Sequence, residues 1–108
     1  MIHDDVLASV AGMATLESYG VVGMASRRVN DGLAVLLQRD HATRGVRISP
    51  VEGADDNLYA VDLYVIIGYG VKIGEVGKSI VRNVSQALLE AVGKAPHKVT
   101  VHVEGVRK

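Results

Sequence analysis

The feature that most constrains this chain is a change of hydrophobic period within its second half. From Leu58 to Ile67 the residues alternate, with Val61, Leu63, Val65 and Ile67 in one stripe and Ala60, Asp62, Tyr64 and Ile66 in the other. From Ile73 the period becomes helical: Ile73, Val76, Ile80, Val84, Ala87, Leu88 and Ala91 fall on one side of a long amphipathic helix, which Gly93 and Pro96 stop. Alternation returns at Lys98 to Val103, with Val99, Val101 and Val103 facing inward. Ahead of this lies Gly45 to Val51, with Val46 and Ile48 on one face and Arg47 and Ser49 on the other. Its Pro50 suits a sheet edge or a strand end. Glu52 to Asn57 has the turn chemistry of a hairpin loop. The pattern predicts a β-β-α-β unit whose helix covers one face of the sheet. Because Tyr64 and Ile66 make its second stripe partly apolar, the Leu58 to Ile67 strand is placed mid-sheet.

The first half is read the same way. Val6, Leu7, Val10, Ala11 and Ala14 recur at helical spacing between Asp4 and Ser18, Asp4 or Asp5 suits the first turn, and Gly20 ends the helix. Val21 to Ala25 is β-prone. Leu33 to Gln38 is expected as a short second helix capped by Asn30 or Asp31, with loop at Asp40 to Arg44. The expected fold class is α+β: a small mixed sheet of three or four strands, covered on one face by two main helices. At 108 residues, 48% of them apolar, the chain is read as one domain over residues 1–108.

Charge and composition narrow the partners. Twelve basic and 12 acidic residues cancel, which disfavours nucleic acid and anionic lipid, and four Tyr without Phe or Trp leave few platforms on which bases stack. The absence of cysteine removes disulfides, thiolate nucleophiles and thiolate metal sites, and a cytoplasmic address is expected. The opening, Met1 to Val10, carries Asp4 and Asp5 where a secretory signal would carry positive charge. The longest uncharged apolar run, Leu63 to Val71, is far short of the roughly 20 residues a spanning helix needs. No direct membrane insertion is expected, and any membrane association is assigned to a partner.

Several stretches resemble one family. Ile2-His-Asp-Asp-Val-Leu-Ala-Ser-Val-Ala-Gly12 and Gly20-Val-Val-Gly-Met24 are similar to the start of the alkaline shock protein, or envelope stress response, family of Gram-positive bacteria. More specific are Gly45-Val-Arg-Ile48, Ala60-Val-Asp-Leu-Tyr-Val-Ile-Ile-Gly-Tyr-Gly70, Ile73-Gly-Glu-Val76 opening a helix, and Val99-Thr-Val-His-Val-Glu-Gly-Val106. They keep the family's order over nearly the whole chain. Two positions depart: Gly68 stands where the family tends to have an acid, and Gly74 where it often has Pro. The resemblance implies a non-enzymatic protein of stress response or envelope homeostasis, without established catalytic residues. It also implies self-assembly in some members, and in others retention at the membrane through a partner's transmembrane segment.

Ile73-Gly-Glu-Val-Gly-Lys-Ser-Ile80 matches the Ile-Gly-x-x-Gly-x-x-Ile pattern of a KH nucleic-acid-binding loop, the alternative function for this chain through Gly74 to Gly77. Glu75 and Val76 occupy positions that ought to be basic or small, and the stretch follows a strand where a KH loop joins two helices. Gly68-x-Gly70-x-x-x-Gly74 is one residue off the dinucleotide spacing, and Gly77-Lys-Ser79 lacks the P-loop's first glycine, since residue 72 is Lys. The histidines His3, His41, His97 and His102 form no metal-binding pair, and no metal or cofactor is expected. His102, Asp62 and Ser49 make a nominal triad, but polar residues on a solvated sheet face are far more often simply solvated. The expected functional surface is the sheet, which offers edges and a second face with Tyr64 and Ile66 at its centre and Arg47, Asp62, Thr100, His102 and Glu104 around them. It is expected to support a homo-oligomer and contact with a membrane-anchored protein.

Overall fold

A computed structural model describes residues 4–25, 36–37, 45–51 and 58–107. Its elements run α1 (Asp4–Leu16), β1 (Val21–Ala25), β2 (Leu36–Leu37), β3 (Val46–Pro50), β4 (Tyr59–Gly68), α2 (Ile73–Val92) and β5 (Lys98–Arg107). The α+β class and the β-β-α-β unit are as the sequence predicts, the unit being β3-β4-α2-β5. The two-residue β2 brings the sheet to five strands.

β4 is the axis of the sheet. β5 runs parallel to it from Ala60↔Lys98 to Gly68↔Arg107 and takes the whole of one edge. The other edge is shared end to end by two antiparallel strands. β3 pairs from Val46↔Leu63 to Pro50↔Tyr59, and β1 pairs Val21↔Ile67, Gly23↔Ile66 and Met24↔Val65. Parallel neighbours need a crossover, and α2 supplies it between β4 and β5.

As the alternation of β4 predicts, Val61, Leu63, Val65 and Ile67 are all fully buried. Val76, Ile80, Val84 and Leu88 of α2 close over them, one residue per turn, and Leu7 and Ala11 of α1 complete the same core. Burying side chains of this kind contributes about 1.5–3 kcal/mol each, which makes this layer the main source of stability. Ile73 and Val6, both expected inward, are about half exposed. Each sits in the first turn of its helix, beyond the reach of the packed stripe. Ala91, at the other end of α2, is also exposed.

The expected helix at Leu33 to Gln38 is corrected where it is described. Leu36 and Leu37 pair with Ala25 and Met24 as β2. A helix of six residues closes too few hydrogen bonds to offset its nucleation, whereas the edge of β1 offers partners already in place. Residues 33–35 and 38, the loop at Asp40 to Arg44 and the hairpin loop at Glu52 to Asn57 lie outside the described residues. β5 runs four residues past the expected Val103, because the far half of β4 continues to offer pairing partners.

Close approach between layers rests on Gly20 and small polar side chains. Gly20 has φ +87°, and a Cβ there would lie 2.6 Å from Val76 Cγ2. This glycine therefore sets how closely the α1–β1 turn seats against α2. Next to it Asn83 Nδ2 donates to Ser18 Oγ at 3.0 Å, and Ser18 Oγ donates to the carbonyl of Ala14 at 2.9 Å, tying the end of α1 to the middle of α2.

Candidate interaction surface

The pairing registers decide which polar side chains meet on the face of the sheet away from the helices. Parallel pairing sets Tyr64 opposite His102, and the β3–β4 hairpin sets Arg47 opposite Asp62. The two rings stack with centroids 4.5 Å apart and planes 9° from parallel. His102 Nε2 lies 3.0 Å from Asp62 Oδ1, a hydrogen bond in which the carboxylate accepts. Asp62, Tyr64 and His102 thus form one pre-assembled, half-exposed cluster spanning β4 and β5, with the exposed Arg47 across β3.

Ile66 departs from the expected layout, being only 3% exposed. Its neighbours across the sheet are Gly23 on β1 and Gly105 on β5. At that exposure it presents no free surface. The centre is therefore the Tyr64–His102 stack alone.

The nominal triad is not assembled. Ser49 lies opposite Ala60 on β3, while His102 lies opposite Tyr64 on β5, beyond the opposite edge of β4. Two strand spacings and a four-residue offset separate them by about 10 Å across and about 13 Å along the sheet. A nucleophile and its base must approach to about 3 Å. Among the described residues no group of three or more His, Cys, Asp or Glu is placed to hold a metal ion; His3 and His41 lie outside them.

The glycine motifs also take definite places. Gly74 and Gly77 both lie inside α2, so this stretch is helical and does not form a loop joining two helices. Gly70, with φ +90°, makes the turn that leads from β4 toward α2. Beside it the amide of Gly68 donates to the carbonyl of Gly20 at 2.8 Å and that of Tyr69 to the carbonyl of Arg107. These bonds draw Tyr19 and Tyr69, both largely exposed, toward one end of the sheet with Val22 and Val106. Periodicity did not single out Tyr19 and Tyr69, because they flank turns and belong to no repeating stripe.

A family model described as the alkaline shock protein 23 family, cell envelope-related function, matches residues 1–108. The chain belongs to this family. Among its relatives, the uncharacterised protein YloU of Bacillus subtilis is 37% identical over 107 residues, covering 98% of this chain and 86% of that protein. The uncharacterised protein Spy1614 of Streptococcus pyogenes is 36% identical over 107 residues, covering 98% and 85%. A second Bacillus subtilis protein, YqhY, also uncharacterised, is 28% identical with 98% and 75% covered. No solved structure matches the chain. The alkaline shock family carries a cell-envelope role, and among the described residues no helix is long and apolar enough to cross a membrane.

Proposed function

We propose that this family member serves stress response and envelope homeostasis without catalysing a reaction, by associating with itself and by holding a second protein against the outer face of its sheet. The observation that carries this reading is the Asp62–His102–Tyr64 cluster, an aromatic stack with a hydrogen-bonded polar rim. Aromatic anchors within a polar ring are the usual anatomy of a modest protein interface. The partner is a membrane-anchored protein, which gives a cytoplasmic domain its membrane association.

Affinity capture from native cells, run in parallel with wild type and Tyr64→Glu, tests the partner. A membrane-fraction protein retained by wild type and lost with the variant, at equal folding by circular dichroism, is the expected result. Equal capture by both removes the sheet face from the reading. Light scattering across a concentration series tests self-association, with a species larger than the monomer expected.

A further inference from the structure

β5 is paired with β4 along one side only. Among the described residues no strand occupies its other edge, and none of its ten residues is buried. A strand of this length with a free edge presents a row of N–H and C=O groups ready to pair with another chain. Beside this edge, on the helix side, lies an open groove of about 400 Å³ lined by Gly74, Gly77, Lys78, Val81 and Arg82 of α2 and by Val101 of β5. Among the described residues, a Cβ built at Gly74 or Gly77 would meet nothing within 4 Å, so this part of α2 stands clear of them. Val81 in the groove and Val103, farther along β5, are each more than a third exposed.

The strand is complementary to itself. Directly opposed residues in an antiparallel pair point to the same face, so the inward valines of two copies meet only if paired residue numbers share parity. Centring the pair on Val101 sets Val101 against Val101, Val99 against Val103, Thr100 against His102, and Lys98 against Glu104. The apolar row is then continuous on the helix side, while Lys98 and Glu104 bring opposite charges together at both ends of the outer face. β5 is irregular between Val103 and Gly105, so the regular ladder ends at Val103 and Glu104 falls at its rim. Lys78 and Arg82 lay their stems along the groove and keep their charges in water.

We infer that two copies of this chain pair through the free edge of β5, antiparallel about a two-fold axis at Val101, with the valines of each strand facing the groove beside α2. This rests on the self-association proposed above and names its surface. The pairing joins two sheets into one, so both Tyr64–His102 clusters lie on a single continuous face and the dimer offers its partner two equivalent sites.

Light scattering over a concentration series, on wild type, Lys98→Glu, Glu104→Lys and the double variant, tests the inference. Each single reversal opposes like charges at both ends of the symmetric pair and is expected to weaken dimerisation roughly tenfold. The double reversal is expected to restore it to within about threefold. Lys98 and Glu104 are both exposed, and circular dichroism checks that folding is equal. Because the chain has no cysteine, Val101→Cys under mild oxidation is expected to give a single covalent dimer. A wild type that stays monomeric overturns both the inference and self-association itself. An oligomer indifferent to both reversals and not captured by Val101→Cys overturns pairing through β5 and leaves self-association to another surface.

Discussion

Tyr64 and His102 lie 38 positions apart in the chain, yet their rings stack 4.5 Å apart because the parallel register of β4 and β5 sets them directly opposite. With Asp62 accepting from the same imidazole, the stack ties the crossover strand to the central one on the face that α2 does not reach. A double-mutant cycle with Tyr64→Ala and His102→Ala is expected to show a favourable coupling of about 0.5–1.5 kcal/mol in urea denaturation. Additive losses would mean that the rings do not act as a pair.

Val65 and Arg47 probe the register of the sheet. Val65 is fully buried and Arg47 is exposed. Val65→Asp places a carboxylate without a partner in the core and is expected to cost several kcal/mol, a large share of a small domain's roughly 5–15 kcal/mol. Arg47→Ala is expected to stay within about 0.5 kcal/mol of wild type. Thermal melts followed by circular dichroism compare the two directly.

Gly20 and Gly77 are expected to respond to alanine with opposite signs. At Gly20 the positive φ and the 2.6 Å approach to Val76 both resist a Cβ, so Gly20→Ala is expected to destabilise by about 1–3 kcal/mol. Gly77 lies within α2 with open space around it, so Gly77→Ala is expected to stabilise by about 0.5–1 kcal/mol. Denaturant midpoints at constant slope give both numbers.

Tyr59 confers a dependence on alkaline pH. Its hydroxyl donates to the carbonyl of Lys94 at 2.7 Å, and burial raises its pKa above the ordinary 10.0. The folded pKa exceeds the unfolded one, so this contribution is fully present below pH 10.0 and is lost as pH rises through the folded value. Tyr59→Phe is expected to cost about 1 kcal/mol at neutral pH and to flatten the alkaline decline. Melting temperatures measured from neutral to alkaline pH, for wild type and variant, give the comparison.

Local pattern determined much of this protein. Alternation along β4 and the one-per-turn apolar row of α2 specified which side chains are buried, because a period of two or of 3.6 admits one inward face for each element. The order of those elements then specified the β-β-α-β unit, and the family signatures were legible in the same segments. Sequence also named Arg47, Asp62, Tyr64 and His102 as neighbours on one face, since they fall on the outward stripes of strands that had to pair.

Tertiary structure decided what depends on register and on competition between distant segments. Leu36 and Leu37 pair with β1 where local propensity favoured helix, because a waiting strand edge outweighs a short helix's own hydrogen bonds. Ile66 is buried while the equally outward Tyr64 is not, a difference invisible to alternation, which separates the two faces without saying what lies over each residue. The separation of Ser49 from His102, and the edge of β5 that no strand occupies among the described residues, are likewise properties of strand order. Strand order is set by which hydrogen-bonding edges remain once the core has closed, and no single segment carries that information.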